Sequence, residues 1–226
     1  MASTDELMAE LVKRGATMEQ VALLKDPTAN TPDEALSLLQ AGNARFFSGQ
    51  PQRVFSDVNS RRAQIIAQTP FAVVLGCADS RVPIELVFDQ GPGDLFSIRV
   101  AGNVVEAGTL GSIQYAIRHL KVHLVVVLGH EGCGAVAASL LTPQERAVEP
   151  LHVRFLLDAI APALEGIASI QDRKARMREA VVLNVRRQKA ILEQDDVVRE
   201  AIESGRVKVV GAFYEIGSGA VDFLEG

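Results

Sequence analysis

Several features that direct a functional interpretation are scarce in this sequence of 226 residues. Its two cysteines are too few for a disulfide framework, so we expect a reducing cytoplasm and thiols that are free for other chemistry. The most apolar stretch, around 122–128, is far shorter than the roughly 20 residues that span a bilayer. The N-terminus lacks a basic start followed by an apolar run, so no secretory signal is expected. A net charge of −5 without a basic cluster argues against a nucleic-acid-binding protein.

The rest of the sequence predicts one large α/β domain that an N-terminal helical arm precedes. From residue 70 onward, short apolar runs that end near glycine alternate with helical stretches, which is typical of a mostly parallel central β-sheet flanked by helices. The predicted strands are 71–75, 95–100, 124–128, 207–213 and 220–224. The predicted helices are 3–25, 32–47 with Thr31 as its cap, 108–120, 150–167 and 172–203.

Two of the predicted strands are followed by glycine and then by a residue that can bind a metal. Cys77 follows Gly76, and His130 follows Gly129, with Cys133 three residues later. Because sites in open α/β sheets form at the carboxyl ends of strands, we expect these side chains to lie together. Two thiolates and one imidazole suit zinc, and three protein ligands with an open fourth position are typical of a catalytic site. The alternative is that both cysteines are small buried hydrophobic residues.

A charged pair follows the first of these cysteines. Asp79 lies two residues after Cys77, within reach of a metal or its water, and Arg81 lies two residues further on. A carboxylate that accepts a hydrogen bond from zinc-bound hydroxide must stay ionised, and a neighbouring guanidinium favours the ionised form. The pair is therefore a candidate catalytic dyad, although an Asp-x-Arg pair by itself is also typical of a surface ion pair in a turn.

The stretches around these residues resemble a known family. GCADSRVP at 76–83 and GHEGCGAV at 129–136 closely resemble the Cys-x-Asp-x-Arg and His-x-x-Cys signatures of the β-class carbonic anhydrases. The resemblance covers almost the whole chain and includes ALSLLQAGNARF (35–46), FDQGPGDLFSIRVAGN (88–103), GSIQYAIRHLKV (111–122) and VVGAFYEIGSGAVDFL (209–224). It implies reversible hydration of carbon dioxide to bicarbonate and a proton by zinc-bound hydroxide.

The functional residues of the family carry over position by position. The resemblance implies that Cys77, His130 and Cys133 bind Zn²⁺ and that Asp79 and Arg81 form the catalytic dyad. In this family the counterpart of Asp79 can also occupy the fourth zinc position, which closes the site. When it turns to the arginine instead, water takes its place. The sequence leaves open which of these two states the chain adopts.

Three further positions resemble the substrate pocket of the plant-type branch of the family. They are Gln68, Phe96 and Tyr115. The resemblance implies that Gln68 donates a hydrogen bond to carbon dioxide or bicarbonate, often from the partner subunit, and that the two rings shape an apolar slot. The backbone amide of Gly134 is a further candidate for holding bicarbonate. The alternatives are core packing for the rings and a solvated side chain for Gln68.

One departure from bacterial relatives is informative. Some bacterial members carry a regulatory bicarbonate site that uses a tryptophan at the position of Val74. This chain has no tryptophan, so we do not expect that site here, although Arg99 matches its arginine.

The same resemblance implies a homodimer or a dimer-based higher oligomer. We expect residues 1–60 to form a helical arm that packs on a partner subunit, and residues 61–226 to form the zinc-binding α/β catalytic domain. The expected partners are carbon dioxide, bicarbonate and copies of the chain, without nucleic acid or membrane. The alternatives are hydrolysis of carbonyl sulfide or carbon disulfide on the same zinc site, and a catalytically silent zinc protein. The intact pair of Asp79 and Arg81 argues against a silent protein.

Overall fold

The computed structural model describes residues 10–11, 13–15, 28–52 and 68–225. Within these ranges the strands are Ala72–Gly76 (β1), Leu95–Arg99 (β2), Leu124–His130 (β3), Lys208–Tyr214 (β4) and Val221–Leu224 (β5). They form one sheet in the order β2-β1-β3-β4-β5. The first four strands are parallel, and β5 pairs antiparallel with β4. This topology confirms the mostly parallel central sheet predicted from the sequence.

The two strands β1 and β3 lie side by side inside the sheet. Every residue of both strands is buried, which explains why they appear in the sequence as continuous apolar runs rather than as alternating patterns. Val73 pairs with Val125, and Val74 pairs with Val126. The first pair belongs to the hydrophobic cluster on one face of the sheet and the second pair to the cluster on the other face. The sheet therefore needs helices on both sides.

Helices cover both faces, as the sequence predicts. The described helices are Pro32–Phe47 (α1), Ile84–Val87 (α2), Ala107–Tyr115 (α3), Gly134–Ser139 (α4), Pro143–Arg146 (α5), Leu151–Ile160 (α6), Arg173–Gln194 (α7) and Asp196–Glu203 (α8). α1 and α2 contribute to one hydrophobic cluster, whereas α3, α6, α7 and α8 contribute to the other. Among the described residues, none of these helices is both long and apolar enough to cross a membrane.

The helix α1 begins where the sequence predicts. The hydroxyl of Thr31 accepts a hydrogen bond from the backbone N–H of Glu34 (3.2 Å), and Pro32 lies in the first turn. The carboxylate of Glu34 accepts a hydrogen bond from the backbone N–H of Asn30 (2.8 Å). The start of this helix is therefore marked by contacts between residues that are close in sequence.

The same helix is anchored on its own chain, at α2 and the residue after it. Leu39 is fully buried. A Cβ at Gly42 would collide with the carbonyl oxygen of Phe88, so glycine permits this close approach. The side-chain amide of Asn43 donates a hydrogen bond to the carbonyl of Val87 (3.0 Å). The contact of an arm at 1–60 with a partner subunit stays a prediction. Most of the predicted helix 3–25 lies outside the described residues. Of its positions that the structure describes, 10, 11 and 13 are helical.

Two predicted helices end earlier than the sequence suggests. The segment predicted as one helix over 172–203 breaks at Asp195, whose carboxylate accepts hydrogen bonds from the backbone N–H groups of Val197 (3.1 Å) and Val198 (3.2 Å) and so caps α8. The break involves neither glycine nor proline, which explains why the residue pattern does not predict it. The helix predicted over 150–167 ends at Ile160, where a 3₁₀ turn follows.

Candidate metal centre and active site

The ends of β1 and β3 bring the three candidate metal ligands together. β1 ends directly before Cys77, and β3 ends at His130. Because the two strands are parallel neighbours, their carboxyl ends meet at the same edge of the sheet. The ligand atoms of Cys77, His130 and Cys133 all lie within 4.8 Å of one another, and all three residues are buried. Both cysteines are free thiols.

His130 directs one unpaired ring nitrogen into the buried interior. Its Nδ1 lies 3.0 Å from the backbone carbonyl oxygen of Glu131, and because that oxygen can only accept, the neutral ring carries its proton on Nδ1. Nε2 is buried and has no hydrogen-bond partner within the described part of the chain. An unsatisfied buried acceptor is costly, and a metal ion would satisfy it. Orientation of a histidine ligand through its second nitrogen is common in metal sites.

Hydrogen bonds favour the thiolate form of Cys77. Its Sγ accepts hydrogen bonds from the backbone N–H groups of Asp79 and Gly102, each at 3.4 Å. The hydrogen bond from the Cys133 thiol, together with these amides, lowers the pKa of Cys77. The pKa of Cys133 is raised, because its S–H donates to the first sulfur and because burial disfavours a second charge. A divalent cation would offset the repulsion between two thiolates, so the pair suits a metal.

Asp79 and Arg81 form a two-point ion pair beside the ligand cluster. The Nε and a terminal nitrogen of Arg81 donate to the two carboxylate oxygens at 3.0 and 2.8 Å, and the backbone N–H of Arg81 adds a third hydrogen bond at 2.9 Å. These bonds hold the pKa of Asp79 well below its usual range. One oxygen of the carboxylate lies 4.0 Å from Nε2 of His130. Asp79 is thus ionised, close to the cluster and turned toward the guanidinium.

Arg99 holds the loop that carries this pair. Its Nε donates to the carbonyl of Cys77 (3.0 Å), and a terminal nitrogen donates to the carbonyl of Asp79 (2.6 Å). One guanidinium therefore fixes the backbone on both sides of Ala78. The sequence does not reveal this role, because Arg99 ends a different strand and only the pairing of β1 with β2 brings it here. Val74, at the tryptophan position of the regulatory site, is fully buried in β1.

The structure brings two of the candidate pocket residues together. The ring centroids of Phe96 and Tyr115 lie 6.4 Å apart, and Tyr115 also contacts His119 with centroids 5.0 Å apart. Tyr115 as a residue is 48% exposed, which argues against simple core packing. Gln68 is exposed, and Gly134 begins α4. The substrate roles of all four candidates, Gln68, Phe96, Tyr115 and Gly134, stay predictions.

Comparisons with known proteins agree with this geometry. The family model described as carbonic anhydrase matches residues 72–221, which include the ligand cluster and the ion pair. A solved structure of tetrameric β-carbonic anhydrases from Sordaria macrospora is 30% identical with a TM-score of 0.66, over 71% of this chain and 83% of that chain. The chain belongs to the β-class carbonic anhydrase family. The β-carbonic anhydrase of Aspergillus fumigatus called CafA is 28% identical with a TM-score of 0.67, over 85% of this chain and 90% of that chain.

Curated carbonic anhydrases are more similar still in sequence. Carbonic anhydrase 2 of Mycobacterium tuberculosis is 39% identical over 199 residues, which are 85% of this chain and 92% of that relative. The carbonic anhydrase of Mycolicibacterium smegmatis is 39% identical over 201 residues, which are 87% of this chain and 94% of that relative. The predicted family and fold are therefore confirmed.

Zinc is the cofactor that fits this carbonic anhydrase. Two sulfurs and one imidazole nitrogen are ligands that zinc prefers. The convergence of the three ligand atoms and the unpaired Nε2 of His130 are consistent with the zinc site of the β class. Three protein ligands leave a fourth position for water or substrate, which is the arrangement of a catalytic zinc site.

Proposed function

We propose that this carbonic anhydrase catalyses the reversible hydration of carbon dioxide to bicarbonate and a proton. The observation that carries the proposal is a buried cluster of three zinc-type ligands beside a carboxylate that a guanidinium keeps ionised. Cys77, His130 and Cys133 would hold the metal. When bound, zinc supplies a water whose pKa is lowered far below its value in bulk solvent, which makes a nucleophile available at neutral pH.

Asp79 is proposed to orient the attacking group. Since Arg81 donates three hydrogen bonds to it, the carboxylate stays ionised and acts as an acceptor. By accepting the hydrogen of the nucleophile, Asp79 leaves the oxygen lone pair directed at the carbon of the substrate. Its distance of 4.0 Å from Nε2 of His130 suits this role, because both groups then face the same small volume. Rotation of Asp79 away from Arg81 is the proposed route to a closed state, in which this carboxylate is a fourth ligand.

The proposed substrate pocket combines an apolar wall with a few donors. Phe96 and Tyr115, whose rings contact each other, would form the wall that receives an uncharged linear molecule. Gln68 would donate a side-chain hydrogen bond to carbon dioxide or bicarbonate, and the backbone N–H of Gly134 would donate a second one. The sequence pattern of the plant-type branch supports this assignment.

A dimer-based assembly in the cytoplasm completes the proposal. Solved relatives from Sordaria macrospora are described as tetrameric. We propose that residues 1–60 contact a partner subunit, with α1 also anchored on its own chain, and that 61–226 form the catalytic domain. Two free cysteines are in keeping with a reducing compartment.

The test compares two substrates on the zinc-loaded protein. Stopped-flow measurement with a pH indicator should show rapid hydration of carbon dioxide, and the activity should disappear on chelation and return with zinc. Carbonyl sulfide, supplied under the same conditions, should release little sulfide. Negligible hydration together with strong sulfide release would assign the site to carbonyl sulfide hydrolysis, and absence of both activities in the zinc-loaded protein would make it catalytically silent.

A further inference from the structure

Two amide side chains are buried in α7, where the helix packs on the sheet. Asn184 and Gln188 are fully buried, whereas the positions around them that face the sheet, such as Val181 and Val185, are apolar. Amides are rarely placed in such a core unless all their polar atoms have partners. Their spacing of four residues puts them on one face of the helix, one turn apart.

The two amides form a continuous chain of hydrogen bonds to the loop that follows β2. Nε2 of Gln188 donates to Oδ1 of Asn184 (3.0 Å), and Nδ2 of Asn184 donates to the carbonyl of Gly102 (2.9 Å). Oε1 of Gln188 accepts a hydrogen bond from the backbone N–H of Val105 (2.8 Å). The pair thus holds the 3₁₀ turn Ala101–Asn103 and the residues after it against α7.

Gly102 connects this chain to the ligand cluster. Its carbonyl accepts from Asn184, and its own N–H donates to Sγ of Cys77 at 3.4 Å. Its φ of 72° lies in the left-handed region, and a Cβ there would collide with Cδ1 of Ile160. Glycine is therefore required both by the backbone conformation and by the space. The N–H on the sulfur and the carbonyl on Asn184 belong to the two peptide groups that flank the α-carbon of Gly102.

The position of α7 itself is fixed close to the ligand-bearing strand. A Cβ at Gly129 would lie 2.6 Å from methyl groups of both Val181 and Val185, and a Cβ at Gly211 would lie 2.8 Å from Val185. The helix α7 can approach β3 and β4 this closely because both strands have glycine at the contact. Asn184 lies between these two valines in sequence, and its side chain reaches the carbonyl of Gly102.

We propose that Asn184 and Gln188 are positioning residues for the metal centre, which hold the N–H of Gly102 on the sulfur of Cys77 and so set the electron donation of that thiolate to the metal. The proposal rests on Cys77 as a ligand in the proposed function. A hydrogen bond to a thiolate withdraws charge from the sulfur and weakens its donation. Partners in this outer shell typically change metal affinity or activity by about 10- to 100-fold when they are removed.

The test replaces Asn184 by leucine, which has a similar size but no donor. Cobalt(II) is substituted for zinc, and the thiolate-to-cobalt charge-transfer band is recorded with the affinity for zinc. We expect Asn184→Leu to move the band to lower energy, because the sulfur loses its hydrogen bond, and to change zinc affinity by about 10-fold or more. The control is Leu192→Ala, which creates a cavity in the same helix at another fully buried position. It should lower thermal stability without moving the band.

A second variant covers the case in which Asn184→Leu does not fold. Gln188→Met keeps the length of the side chain but removes its bonds to Asn184 and Val105, and we expect a smaller shift of the band in the same direction. An unchanged band in a folded Asn184→Leu or Gln188→Met, or an equal shift in Leu192→Ala, overturns the proposal. If the wild-type protein itself shows no thiolate-to-cobalt band, the ligand assignment of the proposed function fails instead.

Discussion

Replacement of Asp79 by asparagine removes the charge that Arg81 stabilises while it keeps the size of the side chain. In the native protein two of the three hydrogen bonds from Arg81 reach one carboxylate oxygen and the third reaches the other. The amide has one oxygen, so its NH₂ group must face a donor of the guanidinium, and at least one hydrogen bond becomes a repulsive contact. The amide also donates where the carboxylate accepts, so the attacking group loses its orientation.

The expected loss in kcat/KM for Asp79→Asn is about 10²- to 10⁴-fold, the usual contribution of a positioned acid–base group. At about 1.36 kcal/mol for each factor of ten, this corresponds to roughly 2.7–5.4 kcal/mol of activation free energy. Zinc content should remain at one per chain, because the three ligands are unchanged. Stopped-flow hydration of carbon dioxide and metal analysis on the same sample measure both quantities.

The control is Asp222→Asn, the same substitution at another ion-paired aspartate. Asp222 lies on β5, outside the ligand cluster, and accepts one hydrogen bond from Arg178 at 2.7 Å. It should leave kcat/KM unchanged. If Asp79→Asn were as active as the wild type at equal zinc content, or if both variants lost activity equally, the assignment of Asp79 as an orienting group would be refuted.

Three further predictions follow from pKa, packing and metal binding. Because hydrogen bonds from Arg81 lower the pKa of Asp79 in the folded protein, its contribution to stability is full above the ordinary pKa of about 3.9 and is lost as pH falls toward the lower folded value. In thermal scans across that acidic range, the wild type should therefore lose more stability than Asp79→Asn, and parallel curves would contradict this. Gly129→Ala should lower the free energy of unfolding, measured by urea denaturation, by about 1–3 kcal/mol, because the new Cβ would lie 2.6 Å from methyl groups of Val181 and Val185. The additional substitution Val185→Ala should recover part of this loss. Removal of zinc by a chelator should lower Tm. An ion that binds only the native state stabilises it by about 2.7 kcal/mol when the free ion concentration is 100 times the Kd. A Tm that is the same with and without zinc would argue against a resident metal.

Local patterns in the sequence predict the strands well because buried parallel strands consist of continuous apolar residues. An example is β3, which begins where it is predicted and extends beyond the predicted segment by two residues, Gly129 and His130. The break at Asp195 was not predicted, since a side-chain cap inside a polar helical stretch resembles any other acidic residue. On either side of this break, α7 packs on β3 and β4, whereas α8 contacts residues 116–120.

The candidate site shows the same division. Cys77, His130 and Cys133 could be proposed from the sequence because strand ends and ligand chemistry are local features. The roles of Arg99 and Asn184 could not, because each acts across a long stretch of chain on a backbone carbonyl. Every residue has a backbone carbonyl, so neither residue type nor spacing indicates which carbonyl accepts such a hydrogen bond. Whether Asp79 faces Arg81 or the fourth metal position likewise could not be predicted, because it depends on where the hydrogen-bond donors of Arg81 lie.

A crystal structure of the zinc-loaded protein at neutral pH tests the central claim most directly. We expect one zinc ion bonded to the Sγ atoms of Cys77 and Cys133 at about 2.3 Å and to Nε2 of His130 at about 2.0–2.1 Å. The fourth position should hold no protein ligand, and Asp79 should still be hydrogen-bonded to Arg81. Zinc bound through other residues would contradict the ligand set, and Asp79 bound to zinc at this pH would contradict the open, active arrangement.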